Sequence, residues 1–152
     1  MGTKFSTRVW VSVVGIASIF FGSKGYADTV ISVADFGLKP DTRENAVAYV
    51  QKAIEACRGK EPVTLVFPEG RYDFWPQYAH EKNYYETNTY DVFPKRLAML
   101  FEGLHNITVD GNGSQFVMHD RIQPITVENC DGVTLKNFSI DWDIPLTAQA
   151  RV

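Results

Sequence analysis

From Leu97 onward, the chain consists of short apolar runs that each end at Asn, Gly or Asp. These residue types tolerate the left-handed backbone conformation of tight turns, so the runs predict strands of about four residues. Two of them, HNITVDG and DGVTLKN, resemble each other at an offset of 26 residues, which aligns Ile107 with Val133. Such a repeat is typical of one coil of a solenoid, in which every strand pairs with the strand one coil away.

An amphipathic helix is predicted before these strands. Asp41 and Glu44 have capping-box spacing, and Gly59 stands where a helix C-terminal glycine belongs. The apolar residues that recur at helical period are Ala46, Val47, Val50, Ala53, Ile54 and Cys57. We therefore predict an all-β fold, a right-handed parallel β-helix, whose open N-terminal end is covered by an α-helix over about residues 41–58. A β-sandwich is the alternative, because it also combines short strands with polar turns.

Residues 1–27 have the pattern of a signal peptide. A short basic start is followed by an apolar run over 9–21, which is shorter than the roughly 20 residues that a membrane-spanning helix needs. Gly25 and Ala27 supply the small residues of a cleavage site. The sequence therefore predicts an exported protein, periplasmic or secreted, whose mature part is residues 28–152 and which leaves the membrane after cleavage.

Net charge limits the kinds of partner that the protein can bind, and the positions of the two cysteines indicate their redox state. Removing the predicted signal peptide takes away three basic residues and no acid, so the net charge changes from −3 to −6. An acidic surface argues against nucleic acid as a partner and is compatible with neutral ligands such as sugars. Cys57 continues the apolar stripe of the helix and Cys130 lies in a turn, so two reduced thiols are favoured over a disulfide.

Two segments resemble known enzymes. VADFGLKPDTRENAVAYVQKAIEAC with VTLVFPEGRYDF resembles the N-terminal cap of the pectin-lyase-like β-helix enzymes. The segment FEGLHNITVDGNGSQFVMHDRIQPITVENCDGVTLKNFSIDWDIPLTAQARV, together with YDFWPQYAHEKNYY, is similar to the bacterial α-1,3-galactosidases of glycoside hydrolase family 110, the blood-group-B galactosidases. Members of that family are several times longer. The resemblance therefore implies that residues 28–152 are the N-terminal cap and first coils, truncated at the C-terminus and inactive alone.

The resemblance also implies a function. It indicates an exported glycoside hydrolase that releases terminal α-1,3-linked galactose with inversion and without a cofactor. The partner would be an oligosaccharide or glycan with terminal α-galactose of the branched blood-group-B type, with linear glycans left open. Two alternatives remain at this stage: a β-helix polysaccharide lyase or polygalacturonase acting on acidic chains, and a non-catalytic carbohydrate-binding solenoid or adhesin.

Asp141 and Asp143 are the first candidate site residues. Residues two apart in a strand face the same way at roughly 6.6 Å, within the 6.5–9.5 Å or so that separates the carboxyl groups of inverting glycosidases. Trp142 would then point inward. Asp is also common in turns, and the resemblance implies that the catalytic carboxylates lie beyond Val152. No catalytic residue is therefore assigned, and both aspartates are interpreted as a possible edge of a sugar site.

The aromatic segment 75–96 is the second candidate, and it has neither helix nor strand period. Trp75 and Tyr78 lead the aromatic residues that could stack on a sugar ring, with Tyr84, Tyr85 and Tyr90 as further members and Arg71, His80 or Glu81 binding hydroxyls. The same aromatics could instead anchor a loop. The three histidines lie in separate segments, so no metal site is predicted.

Overall fold

A computed structural model of the protein describes residues 29–84 and 93–145. The predicted signal peptide lies outside these residues. The elements are β1 (Thr29–Ser32), a 3-10 helix (Val33–Phe36), α1 (Val47–Cys57), β2 (Val63–Val66), β3 (Arg71–Phe74), β4 (His80–Tyr84), β5 (Phe93–Glu102), β6 (His105–Met118), β7 (Gln123–Glu128) and β8 (Asp131–Trp142). No helix in these two ranges is long and apolar enough to cross a membrane.

The helix begins later than its sequence predicts. It starts at Val47 rather than near Asp41, because Asp41 is in the left-handed region at φ 62°. The Asp41 carboxylate accepts a hydrogen bond from the backbone N–H of Arg71 at 2.9 Å, so it holds the start of β3 instead of capping a helix. The C-terminal prediction is confirmed, since α1 ends at Cys57 and Gly59 has φ 74°.

The apolar stripe of α1 is confirmed, because all six of its predicted members are buried. Its neighbours are the 3-10 helix and strands β1, β2 and β5. Cys57 is fully buried at the end of the stripe, and this burial raises the pKa of its thiol to about 11. Cys57 and Cys130 are both free, as predicted.

The larger sheet has five parallel strands. Its order is β1-β2-β6-β3, and β8 pairs with β6. The first part of β6 pairs with β2 and the last part pairs with β3, while β8 follows β6 through both parts. The register of β6 and β8 shifts between Asp110 and Ser114, where the strand bends, with Asn112 at φ 48° and Gly113 at φ 85°.

The smaller sheet has three strands in the order β4-β5-β7. β4 pairs with β5 in antiparallel orientation, and β5 pairs with β7 in parallel. The sequence predicts no strand in residues 75–96, so β4 contradicts that prediction. Its residues HEKNY carry no apolar alternation, and they become a strand because β5 offers backbone hydrogen bonds to them.

The predicted right-handed parallel β-helix is wrong. The described residues form a small sheet-rich domain with one parallel sheet, one mixed sheet and one helix. The antiparallel β4–β5 pair is foreign to a solenoid whose strands are all parallel. The 26-residue repeat does predict one strand pairing correctly, since Ile107 lies opposite Val133 in β6 and β8. Such a repeat indicates the register of two strands but does not determine the architecture around them.

Alternation along the strands sorts side chains between the core and the opposite face of the parallel sheet. Tyr72, Phe74 and Phe116 are buried, and Phe116 contacts both other rings edge-on at centroid distances of 6.1 and 5.6 Å. The residues of β3 that alternate with Tyr72 and Phe74, which are Arg71 and Asp73, therefore belong to the other face. That face carries the first candidate site.

Candidate functional site

Strands β3, β6 and β8 bring three chain segments together at their C-terminal ends. Their register places Asp73 beside Val117, and Val117 beside Asp141. The pairing continues past the strands, because the N–H of His119 donates to the carbonyl of Phe74 at 2.9 Å and the N–H of Asp143 donates to the carbonyl of Met118 at 3.0 Å. Asp73, Asp141 and the next positions of the same face are thereby neighbours, although they are far apart in sequence.

Asp73 is the centre of this cluster, which we call the Asp73 cluster (Arg71, Asp73, His119 and Asp143). The Asp73 side chain is 0% exposed, and its carboxylate accepts hydrogen bonds from Arg71 Nε at 3.0 and 3.1 Å and from Nη2 at 2.6 Å. His119 Nε2 lies 2.8 Å from Asp73 Oδ1. Burial alone would raise the pKa of the Asp73 carboxyl, but the hydrogen bonds from Arg71 and His119 lower this pKa below its ordinary value.

Asp143 lies at the rim of the Asp73 cluster. Its Oδ1 is 3.7 Å from Arg71 Nη2 and its Oδ2 is 3.7 Å from His119 Nδ1, while its side chain is 46% exposed. The hydrogen bond to Asp73, reinforced by the charges of both carboxylates, raises the pKa of Arg71. Arg71 therefore stays charged between a buried carboxylate and a solvent-facing one. Of these two carboxylates, Asp143 is the one that a ligand can reach.

Trp75 connects the Asp73 cluster to a cleft. Its indole ring is stacked on the imidazole of His119, with centroids 3.9 Å apart and planes 5° from parallel. Trp75 and Tyr78 line the same cleft of about 370 Å³, which we call the Trp75–Tyr78 cleft. Residues 75–79 form one wall, and Glu81, Arg96 and Asp120 supply the charged groups. The structure thus brings together the two aromatic candidates that the sequence suggests.

Helix α1 and the residue segment before it hold the wall of the cleft. Asn45 Nδ2 donates to the carbonyls of Trp75 at 3.4 Å and Gln77 at 3.0 Å, and Asn45 Oδ1 accepts from the N–H of Trp75 at 3.2 Å. Gln51 Nε2 donates to the carbonyl of Tyr78 at 2.9 Å. The side-chain amides of Asn45 and Gln51 therefore fix the backbone of residues 75–79, which belongs to no β-strand.

The two predicted aspartates have different surroundings. Trp142 packs against the core, as predicted, in the same row as Phe74 and Met118. Asp141 is exposed, and its carboxylate accepts a hydrogen bond from the N–H of Trp142 at 2.8 Å. Asp143 instead contacts the Asp73 cluster. The ligand-binding roles of Asp141, Asp143, Trp75 and Tyr78 stay predictions.

Sequence reasoning missed Asp73 and His119. They are 46 residues apart, and nothing local to either indicates that they meet. A signal was available in RYDFW, where Arg71, Asp73 and Trp75 alternate with buried aromatics and so share one face. Within residues 29–84 and 93–145, no group of three His, Cys, Asp or Glu side chains is placed to hold a metal ion.

A second charged cluster lies on the smaller sheet. Lys82 Nζ in β4 contacts Glu102 Oε1 in β5 at 2.7 Å and Glu128 Oε2 in β7 at 2.9 Å, and the hydroxyl of Tyr84 donates to Glu128 at 2.6 Å. The hydrogen bonds from Lys82 and Tyr84 lower the pKa of the Glu128 carboxyl. This cluster links all three strands of the smaller sheet through side chains.

Known proteins similar to this chain share one activity in their names. Over 126 residues, the chain is 64% identical to α-1,3-galactosidase B of Bacteroides thetaiotaomicron, a match that covers 83% of this chain and 20% of the relative. The chain is homologous to part of the α-1,3-galactosidases. It is also 40% identical to α-1,3-galactosidase A of Shewanella woodyi, over 80% of this chain and 20% of that protein. No family model matches it.

A third relative extends the match along the chain. α-1,3-Galactosidase B of Phocaeicola vulgatus is 37% identical over 95% of this chain and 23% of its own length. The resemblance to α-1,3-galactosidases is thus confirmed. The chain spans about a fifth of the length of these curated relatives.

Proposed function

We propose that the chain acts as part of an exported glycoside hydrolase that releases terminal α-1,3-linked galactose with inversion. The observation that carries this is the 64% identity over 126 residues to a protein named α-1,3-galactosidase B. The proposed substrate is a branched glycan of the blood-group-B type, and the proposed export rests on the signal pattern of residues 1–27.

The Asp73 cluster supports a structural role for Asp73. An inverting glycosidase needs a protonated carboxylic acid and a carboxylate that activates water. Asp73 is buried, its partners are Arg71 and His119, and its lowered pKa keeps it ionised, so it is unsuited to either task. Asp73 is thus excluded as a reacting group, and since the chain spans only about a fifth of the length of its relatives, we propose that the reacting carboxylates lie outside residues 29–84 and 93–145.

A chimera tests this function. The matched 126-residue segment of the Bacteroides thetaiotaomicron relative is replaced by the 126 residues of this chain that match it, and galactose release from an α-1,3-galactoside is measured. We expect the chimera to keep a kcat/KM within about tenfold of the relative, because equivalent segments should preserve transition-state stabilisation. This chain alone should release no galactose above the buffer rate.

The controls separate the alternatives. A polygalacturonate substrate should give no unsaturated or reducing products with the chimera. Nuclear magnetic resonance of the first-formed galactose should detect the β-anomer, as inversion requires. A folded chimera with no galactose release, while the unmodified relative turns over, would contradict the proposal.

A further inference from the structure

The Trp75–Tyr78 cleft has the composition of a sugar site, with aromatic rings beside charged hydrogen-bonding groups. One face of the Trp75 indole is covered by His119 at 3.9 Å. Because a ring has two faces, a ligand in the cleft can meet only the other face or the edge of the indole. The stack also fixes the orientation of the indole before any ligand arrives, which lowers the entropic cost of binding.

Tyr78 is an exposed aromatic residue on a strained backbone. Tyr78 is 75% exposed, and its backbone φ is 67°, in the left-handed region that disfavours bulky side chains. Its carbonyl is held by Gln51 at 2.9 Å. Folding alone gains little from holding a tyrosine in this way, and strain of this kind concentrates at ligand clamps.

The charges of the cleft select against acidic ligands. Glu81 Oε1 and Arg96 Nε are 3.1 Å apart across the β4–β5 pair, so their charges offset one another. Asp120 adds a further carboxylate to the lining. The three groups together carry a net negative charge, and a uronic acid would meet repulsion where a neutral sugar offers hydroxyls to both carboxylates and the guanidinium.

We propose that the Trp75–Tyr78 cleft is a non-catalytic subsite for a neutral pyranose, which holds part of the glycan away from the bond that is cleaved. Its volume of about 370 Å³ is at the small end of ligand clefts, so it takes a short saccharide rather than a macromolecule. Taking galactose-containing glycans as the ligand rests on the proposed function. The preference for neutral over acidic sugars rests on the cleft.

Direct binding to the 152-residue chain is the first test. Methyl α-galactoside, an α-1,3-galactobiose and galacturonate are titrated separately while tryptophan fluorescence and calorimetric heat are followed. We expect the neutral sugars to bind in the millimolar range, with galacturonate weaker by at least about tenfold because of charge repulsion. Equal binding of galacturonate, or no binding of either neutral sugar, would overturn the proposal.

Variants locate the binding. Tyr78→Ala should weaken neutral-sugar binding by about tenfold through loss of the aromatic contact, and Tyr78→Phe should retain most of it. Ile144→Ala is the matched control, because Ile144 is 76% exposed and does not line the cleft. Tyr78→Ala should leave the thermal midpoint nearly unchanged, because Tyr78 is 75% exposed and an alanine at φ 67° keeps the same backbone strain. Unchanged affinity in Tyr78→Ala would overturn the assignment.

Kinetics of the chimera separate this proposal from the proposed function. Tyr78→Ala in an active chimera should raise KM about tenfold with kcat unchanged, as expected when binding common to ground and transition state is removed. An inactive chimera combined with Tyr78-dependent sugar binding to this chain would reject the proposed function and keep the subsite. An active chimera whose KM does not depend on Tyr78 would reject the subsite and keep the function.

Discussion

At the residue scale, the buried carboxylate of Asp73 determines how the face of the parallel sheet is organised. It joins Arg71 and His119, and through His119 it sets the ring of Trp75 against the cleft. A buried charge is tolerated only when its hydrogen-bonding capacity is used, and here two side chains use it. The orientation of an aromatic ligand-binding candidate thus depends on an ion pair, Arg71 with Asp73, that does not line the cleft.

The lowered pKa of Asp73 predicts a pH-dependent contribution to stability. Its folded-state pKa lies below the unfolded value of about 3.9, so ionised Asp73 stabilises the fold at any pH above that value. This stabilisation is lost as the pH falls through the folded-state pKa. Asp73→Asn should therefore lower the free energy of unfolding at pH 7 by about 2 kcal/mol, and the difference from wild type should shrink toward pH 2.

Urea unfolding between pH 2 and pH 7 measures this effect. Asp131→Asn is the control, because Asp131 is an exposed aspartate at the start of β8. A deficit of the Asp73 variant that is as large at pH 2 as at pH 7 would show that shape, rather than charge, accounts for the loss.

The sequence predicts part of this arrangement. The aromatic content of residues 75–96 identifies Trp75 and Tyr78 as ligand candidates, and the structure places both in one cleft. Asp73 and His119 could not be found in the same way, because their contact depends on the pairing of β3 with β6 across 46 residues. Local patterns report which face a residue occupies, and long-range pairing decides which residues on that face meet.

At the element scale, the bend in β6 depends on close approach to β8. A Cβ added at Gly111 would lie 2.5 Å from Phe138 Cβ and 2.7 Å from the carbonyl oxygen of Asn137. These atoms belong to β8 itself, so they have little room to move away. The packing of Phe138 on Phe116, with centroids 4.8 Å apart, requires this closeness.

Gly111→Ala should lower the free energy of unfolding by about 1–3 kcal/mol, the usual cost of overpacking a well-packed site. Gly113→Ala is the matched control: its φ of 85° strains an alanine, but the nearest atom to its Cβ is a flexible Glu69 side chain at 3.9 Å. Thermal and urea unfolding of both variants compare steric clash with backbone strain. Gly111→Ala as stable as wild type would mean that β8 can move outward at little cost.

Element prediction succeeded where the pattern was self-contained. The apolar stripe of α1 follows from periodicity within its own segment. The apolar runs after Leu97 do lie in strands, but the predicted length of about four residues is wrong, because β5 to β8 have 10, 14, 6 and 12 residues. The prediction of the helix start was wrong because the Asp41 carboxylate accepts a hydrogen bond from the backbone N–H of Arg71 instead of capping a helix N-terminus. Strand β4 was missed because its pairing with β5 comes from the fold around it.

At the scale of the whole molecule, the same limit explains the wrong fold class. The echo between HNITVDG and DGVTLKN correctly sets Ile107 opposite Val133. A register between two strands is common to many sheet architectures, and it carries no information about an antiparallel pair such as β4 with β5. A repeat seen once in a short chain therefore predicts pairing more safely than it predicts topology.

The edge strands of the parallel sheet differ in length. β1 and β3 have four residues each, whereas β8 has 12 and, in the part of the chain that the structure describes, pairs only with β6. Leu135 and Ile140 of β8 are 40% and 37% exposed. A long edge strand with exposed apolar side chains is a template for pairing with a second chain, while a short edge is protected by its length.

We therefore expect this chain to self-associate through β8 as its concentration rises. Ile140→Lys should shift the protein toward monomer, because a lysine on the edge opposes close pairing of two copies. Val30→Lys is the matched control, since Val30 is 64% exposed on the short edge strand β1 and should leave association unchanged. Sedimentation velocity over a concentration series measures both. If both lysine variants reduce association equally, added charge alone would explain it, and β8 would not be the contact.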